Sequence, residues 1–298
     1  MNPRISIITP SYNQGKFIRK TIESVLSQNA EGLEYLVIDG GSTDQTLDIL
    51  REYGSRFYWV SEKDNGHADA INKGLLKSTA PLIGWLNSDD VYYPNALNAV
   101  IAAFDAYPDM DVLYGDAYHM DENDNILEPY PTEEWNMEKL TETCYICQPA
   151  AFIRRSVVER FGLIDTNRRF CMDYDYWIRL GKGGARFMHL KKTLAGSRLH
   201  PEASTVAKRL LCSRDANECT RNHFGKTPDR WIFNYAHALA ENKGFRRSDK
   251  LVFAFTVSLF SYYASLRWNQ SISRNILNTT AGWMRGNLSL AFRELVKS

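Results

Sequence analysis

Pro81-Leu82-Ile83-Gly84-Trp85-Leu86-Asn87-Ser88-Asp89-Asp90-Val91-Tyr92-Tyr93-Pro94 runs from an apolar segment straight into two adjacent carboxylates. Residues 81–86 have the pattern of a buried strand, and Pro94 favours a turn just beyond. Asp89 and Asp90 therefore stand side by side at a strand exit. Carboxylates in that place repel each other unless a cation joins them. A hard divalent ion, Mg2+ or Mn2+, suits such a pair and usually brings substrate phosphates with it. Taken alone, residues 87–90 fit a solvated Asp-rich turn better, so the weight falls on what surrounds them.

Working outward, the preceding residues repeat one plan. Ile5-Ser-Ile-Ile-Thr9 is a β-branched strand that stops at the turn chemistry of Pro10-Ser-Tyr-Asn-Gln-Gly15. Phe17, Ile18, Ile22, Val25 and Leu26 then recur at helical spacing. Tyr35-Leu-Val-Ile38 is a second strand, followed by Asp39-Gly-Gly-Ser-Thr-Asp44 and a helix over 45–53 with Asp44 as its N-cap. Residues 57–60 form a third strand, and residues 69–76 a helix. Strand and helix alternating at this spacing predict an α/β fold, with right-handed βαβ units on a mostly parallel sheet flanked by helices. Ligands on such sheets bind beyond the carboxyl ends of the strands. Loops 10–14, 39–44 and 87–90 should therefore meet at one crevice. Gly40-Gly41 lets the backbone come close to a ligand, but the spaced glycine triad of a dinucleotide site is missing, as is a phosphate-loop lysine.

The 298 residues carry 36 Lys+Arg against 35 Asp+Glu, which argues against a dedicated nucleic-acid binder. Five cysteines at irregular spacing do not make a secreted disulfide framework. Cys144 and Cys147 form a lone Cys-x-x-Cys without the second pair or the histidines that zinc would need. Met1-Asn-Pro-Arg-Ile enters a strand at once and has no export-signal pattern. No apolar run reaches the ~18 residues of a confident membrane span. The expected setting is cytoplasmic.

At this point the chain resembles a known family. Ile5-Ser-Ile-Ile-Thr-Pro-Ser-Tyr-Asn13, Ile38-Asp-Gly-Gly-Ser-Thr-Asp44 and Trp85-Leu-Asn-Ser-Asp-Asp90 follow the order and spacing of the family 2 glycosyltransferases. Gln148-Pro-Ala-Ala-Phe-Ile-Arg-Arg155 and Asp173-Tyr-Asp-Tyr-Trp-Ile-Arg179 continue the likeness, which covers roughly residues 4–205. The resemblance implies a GT-A fold with a Rossmann-like nucleotide-binding half, a nucleotide-diphosphate sugar donor, a divalent metal and inversion at the anomeric carbon. By the same resemblance Asp39 contacts the base or ribose, Asp89-Asp90 matches the metal-binding DXD region, and Asp173 matches the catalytic base. Pro10, Tyr12, Asn13 and Asp64 join Asp39 as donor-binding candidates, with Asp69, Asn72, Asp89 and Arg198. Members often carry Arg in the segment that here reads Ala70-Ile71-Asn72, so the donor's identity is left open.

The residues leave several alternatives standing. Asp173 and Asp175 begin an amphipathic segment, where a carboxylate is also favoured simply by the helix dipole. Asp121, Glu122, Asp124 and Glu128 suggest a solvated loop within the polar stretch 116–131. Arg154-Arg155 fits a surface pair, a structural role or a phosphate contact. His200, in Arg198-Leu-His200-Pro, is either a structural histidine or a third metal ligand beside Asp89 and Asp90. Beyond Thr227-Pro228 the chain turns helical and basic, with 10 Lys+Arg against 4 Asp+Glu from 229 to 298. We therefore expect a domain over 1–226 and a helical extension over 227–298. Residues 251–266 carry no charge and are apolar almost all round. A packed core helix, a homodimer contact and a peripheral seat on the inner membrane face all suit them. The acceptor expected from the resemblance is a saccharide or a lipid-linked hydroxyl. The rival to an enzyme is a non-catalytic sugar-nucleotide-binding scaffold on the same fold.

Overall fold

All seven residues of the first strand, Ile-Ser-Ile-Ile-Thr-Pro-Ser, are buried, as a strand covered on both faces requires. In chain order the first half is β1 (Ile5–Ser11), α1 (Ile18–Leu26), β2 (Leu33–Asp39), α2 (Thr46–Glu52), β3 (Tyr58–Ser61), α3 (His67–Lys77) and β4 (Leu82–Trp85). Then come β5 (Val91–Tyr92), α4 (Ala96–Ala106), β6 (Val112–Met120), β7 (Ile126–Pro129), α5 (Met137–Glu142), β8 (Ala151–Arg154), α6 (Arg155–Phe161), α7 (Met172–Lys182) and β9 (Phe187–Arg198). The helices α8 (Ser204–Ala207), α9 (Arg209–Phe224), α10 (Asp229–Asn242), α11 (Lys250–Asn269) and α12 (Arg274–Leu295) complete the chain. The computed structural model describes residues 2–295.

The strands make one curled, mainly parallel sheet in the order β3-β2-β1-β4-β8-β6-β9-β5, with β7 hydrogen-bonded to β6. The first four are parallel, and the chain order turns back between β1 and β4. Such a reversal opens a crevice at the carboxyl ends of the two strands, and there the loops after Ser11 and Trp85 emerge. Helix α1 buries Ile18, Thr21, Ile22 and Val25, a single face at helical spacing. Helix α3 packs directly on β1. Gly74 makes that approach possible, because a Cβ there would stand 2.3 Å from Ile8 Cγ2.

Beyond β4 the sheet changes character, since β8 runs antiparallel to both β4 and β6. The stretch 116–131, expected as a loop, is instead the rest of β6, a turn and β7. Strand β9 is a single twelve-residue strand, with its register against β6 shifting around Asp116. Long-range pairing of β6 with β9 extends both strands past the point at which the local apolar pattern fades. The two-residue β5 pairs with the far end of β9, Val91 against Gly196 and Tyr92 against Ala195.

Residues 138–143 and 204–298 form a second unit, so the helical part starts at Ser204, before the expected 227. Thr227-Pro228 separates two helices of this same unit. Thr227 Oγ1 donates to Asn217 O of α9 (2.9 Å), and Thr227 N donates to Asn269 Oδ1 of α11 (2.7 Å). Apolar side chains of α10, α11 and α12 meet in its core, among them Ile232, Tyr235, Trp268 and Ile276. Helix α11 is not buried all round as its composition suggested. Phe253, Val257, Ala264 and Trp268 face inward, while Phe255, Leu259 and Tyr263 are exposed. Among the described residues no helix is long and apolar enough to cross a membrane.

Because Gly74 is pressed on Ile8, Gly74→Ala should cost about 1–3 kcal/mol through overpacking. A urea midpoint equal to that of the parent protein would refute this close contact.

Candidate active site

The first two loops are stitched together by side chains acting on backbone. Asn13 takes a left-handed conformation (φ 53°), which asparagine tolerates. Its N–H donates to Ser42 Oγ (2.7 Å), and its Oδ1 accepts Thr43 N (2.8 Å). Gly15 N donates to Asp44 Oδ2 (2.8 Å), and Gly40 N to Ser11 O (2.8 Å). Pro10 is buried in β1, whereas Tyr12 projects from the strand exit with 60% of its surface exposed. An open aromatic face at that point can stack a nucleobase.

Asp39 is fully enclosed and organises the second loop. Its Oδ2 accepts Gly41 N (3.0 Å), Ser42 N (2.9 Å) and Ser61 Oγ (2.6 Å), while Ser42 Oγ donates to Oδ1 (2.5 Å). Asp64 accepts Gly66 N (2.9 Å) and lies so near Gly40 that a Cβ there would stand 2.5 Å from its Oδ2. Asp69, in the first turn of α3, accepts Asn65 N (3.0 Å). These two carboxylates shape the loop before α3. Asn72 departs from the expected donor contact. Both ends of its amide are taken by the Ile164 backbone, Nδ2 to O (2.8 Å) and Oδ1 from N (3.0 Å), so it pins residue 164 to α3.

The structure separates the two adjacent carboxylates. Asp90 is 3% exposed and turns inward. Its Oδ1 accepts Arg198 N (2.8 Å), its Oδ2 accepts Asn87 Nδ2 (3.2 Å), and its carbonyl accepts Thr21 Oγ1 (2.8 Å). Burial, then the neighbouring Asp89 charge, hold its carboxyl well above the usual range. Asp89 stays accessible, and its Oδ2 lies 3.0 Å from His200 Nε2. The His200 ring is almost enclosed and packs on Phe17, 4.7 Å between centroids. Of the expected ligands, Asp89 and His200 therefore come together as an oxygen and a nitrogen donor. Asp90 instead holds Arg198 N and Asn87 Nδ2, one on each carboxylate oxygen.

Arg198 also departs from expectation. Its side chain has no exposed surface, so it braces the loop instead of reaching a diphosphate. Nε donates to Asp89 O (2.7 Å), and Nη1 to Asp121 O (3.0 Å) and to Asp124 Oδ1 (2.5 Å), with the guanidinium 4.9 Å over the Phe17 ring. The acidic turn 121–125 is thereby bound to the carboxylate loop. Glu122 pairs with Lys16 and Asp124 with Lys20, which ties the turn to α1 as well. Arg154 and Arg155 also bind backbone, including Met110 O and Ala80 O, and are structural.

Asp173 stands in the first turn of α7, half-buried. Burial pushes its carboxyl above the ordinary range, and the N–H groups of Tyr174 and Asp173 itself draw it back. One turn on, Trp177 stacks on Trp85, 5.4 Å between centroids, so α7 is seated beside the strand that leads into Asn87. Asp175 faces elsewhere, with Oδ1 3.5 Å from Arg168 Nε. Burial first, then the charges of Asp90, Cys144 and Asp173, raise the Cys147 thiol well above its usual range. Sequence reasoning quoted Gln148 without a role and missed His67; Gln148 Nε2 holds Trp85 O (2.6 Å), and His67 Nε2 is 3.0 Å from Asn87 Oδ1. Neither residue has a local pattern that points to its partner.

The family model described as Glycosyl transferase family 2 matches residues 6–162, more than half of the chain. The chain belongs to glycosyltransferase family 2. A chondroitin synthase of Escherichia coli is 30% identical over 212 residues, covering 69% of this chain and 30% of the relative. An uncharacterised glycosyltransferase of Rickettsia prowazekii is 26% identical over 212 residues, 68% of this chain and 66% of the relative. The chain thus spans less than two thirds of these relatives' lengths. Among solved structures, a mannosyltransferase of Pyrobaculum calidifontis in complex with GDP-Man and Mn2+ aligns with a TM-score of 0.60 at 17% identity, over 98% of this chain and 81% of the other. The fold of this family 2 member is accordingly of the GT-A type.

If Arg198 is the brace described, Arg198→Met should lower stability by about 2–4 kcal/mol. That is less than the full cost of breaking a buried pair, because Asp124 can turn to water. An unchanged urea midpoint would show that the loop does not depend on it.

Proposed function

We propose that the chain transfers a sugar from a nucleoside-diphosphate sugar to an acceptor hydroxyl, with inversion at the anomeric carbon. The observation that carries this reading is the seating of Asp173, through the Trp177–Trp85 stack, beside the strand that delivers Asp89. Tyr12 stacks the donor's base, and the loop ordered by Asp39 receives the ribose. The acceptor O–H gives its proton to Asp173, its oxygen bonds to the anomeric carbon, and the bond from that carbon to the diphosphate breaks on the opposite face. A group that takes up a proton works best with a pKa lifted toward the operating pH, and the half-buried Asp173 meets that need. No covalent enzyme intermediate is required, so a nucleophilic Ser or Cys has no part.

Asp89 and His200 are the residues that would hold the divalent ion, with phosphate oxygens and water completing its shell. Imidazole nitrogen beside carboxylate oxygen favours Mn2+ over Mg2+. The ion supplies positive charge to the departing diphosphate. The GDP-Man and Mn2+ bound by the structurally similar mannosyltransferase support both the donor class and the metal. The donor's base and sugar stay open, since residues 70–72 lack the family's frequent Arg. The likeness to a chondroitin synthase supports a saccharide acceptor, in polysaccharide or glycolipid assembly. A lipid-linked acceptor fits the same chemistry and would bring the enzyme to the inner membrane face as a peripheral protein. A homodimer is the competing use of its surface.

Asp89→Asn should remove the Mn2+-dependent part of nucleoside-diphosphate affinity in calorimetry. Asp90→Asn should cost about 10–100-fold, the range for groups that support a ligand. The reverse order would return Asp90 to the metal. Asp173→Asn should leave donor affinity intact and slow transfer by ~10²–10⁴. In the parent enzyme the rate should fall as pH drops through the Asp173 pKa, because the base must be ionised. That acid limb should lie above the ordinary ~3.9. A mutant that transfers sugar at the parent rate would move the base elsewhere.

A further inference from the structure

The outer face of α11 has one chemistry along its whole length. Val252, Phe255, Leu259, Tyr263 and Leu266 are each 48–54% exposed. Their spacings of three, four, four and three residues put them on a single stripe that extends roughly 21 Å. The opposite face carries Phe253, Val257, Ala264 and Trp268 into the helical core, so the stripe is a surface that this unit itself leaves uncovered.

The charges around the stripe identify what it fits. Helix α11 contains no carboxylate, and none occurs in the sequence between Asp249 and Glu294. Lys243, Arg246, Arg247 and Lys250 crowd the approach to its first turn, all exposed, with the exposed Phe245 among them. Of the two carboxylates nearby, Glu241 is held by Arg209 and Arg247, and Asp249 sits at the N-cap of α11. At the far end Arg267 is exposed, with Nη1 on the Tyr263 hydroxyl (3.1 Å). An apolar stripe with cations at both ends and aromatic rings between suits the boundary of acyl chains and anionic headgroups. A second copy fits less well. Antiparallel pairing sets the Arg246–Lys250 end against Arg267, and parallel pairing sets each end against itself, so like charges meet either way.

We infer that the exposed face of α11 docks the protein on an anionic lipid bilayer, lying in the headgroup plane with Phe255, Leu259 and Tyr263 inserted. This takes up the membrane contact of the proposed function and rests on that reading. Flotation uses no sugar donor, so its failure leaves the transferase assignment to its own assays. The full chain should float with vesicles of phosphatidylcholine mixed with phosphatidylglycerol, but not with phosphatidylcholine alone, and added salt should weaken the effect. The double variant Phe255→Glu/Leu259→Glu should lose at least about tenfold in vesicle affinity while keeping its melting temperature and its nucleoside-diphosphate binding. Arg246→Glu/Lys250→Glu should lose the preference for anionic lipid. As a readout that leaves the stripe intact, Tyr263→Trp should add a blue-shifted emission component on anionic vesicles, taken against the parent protein with its 7 Trp. Equal flotation of the parent and the glutamate variant, no flotation by either, or no emission shift would overturn the proposal. So would a parent dimer that the glutamate variant converts to monomer, since the stripe would then be covered by a second copy.

Discussion

Two neighbouring carboxylates at the end of a buried strand face a strong constraint. They cannot both point into the same space without a cation, and they cannot both be buried without hydrogen-bond donors. In this protein the two are divided. Asp90 goes inward, to the Arg198 N–H and the Asn87 amide, and Asp89 stays outward beside His200. Much of the surrounding structure follows from that division. The short β5 strand exists where the chain, having turned past Asp90, pairs with the end of β9 and thereby brings the Arg198 N–H within reach. The inward carboxylate ties the loop to β9, and the outward one keeps part of its surface open.

The enclosed Arg198 guanidinium extends the same logic. A buried cation needs nearby acceptors, and it finds them in the Asp89 and Asp121 carbonyls and the Asp124 carboxylate. The polar turn between β6 and β7 is therefore part of the loop's frame, with Asp124 also joined to Lys20 and Glu122 to Lys16. Three stretches far apart in sequence are fixed to one another by charge, around the loop that carries Asp89. The Trp85–Trp177 stack joins α7, which carries Asp173, to β4.

The family 2 match, over residues 6–162, takes in the loops after β1, β2 and β4, the carboxylate loop among them. The use of the remaining polar residues is a property of this chain's own contacts. Asn72 illustrates the point, since a residue of the right type in the right helix is occupied by the Ile164 backbone. The stripe on α11 is a second illustration. Its helix is apolar on all sides, yet only one side meets the rest of the helical unit.

Local signals determined the first half of the fold. β-branched runs closed by Pro, Gly and Asp turns placed β1, β2 and β4, and hence the three loops at their carboxyl ends, because each signal lies within a few residues of the element it specifies. The Asp89–Asp90 pair stood out by the same kind of local signal, while the base role of Asp173 rested on the family resemblance, since a helix-capping carboxylate has the same local pattern. Tertiary structure alone decided which aspartate faces outward, that Arg198 is enclosed, that residues 116–131 form a hairpin, and that the helical unit begins at Ser204. Those outcomes depend on partners far away in sequence, such as Arg198 to Asp90 across 108 residues and Asn72 to Ile164 across 92. A polar side chain's pattern in sequence marks it as able to bond. Which donor or acceptor it meets is set only when the sheet has folded and burial has removed water as the alternative partner.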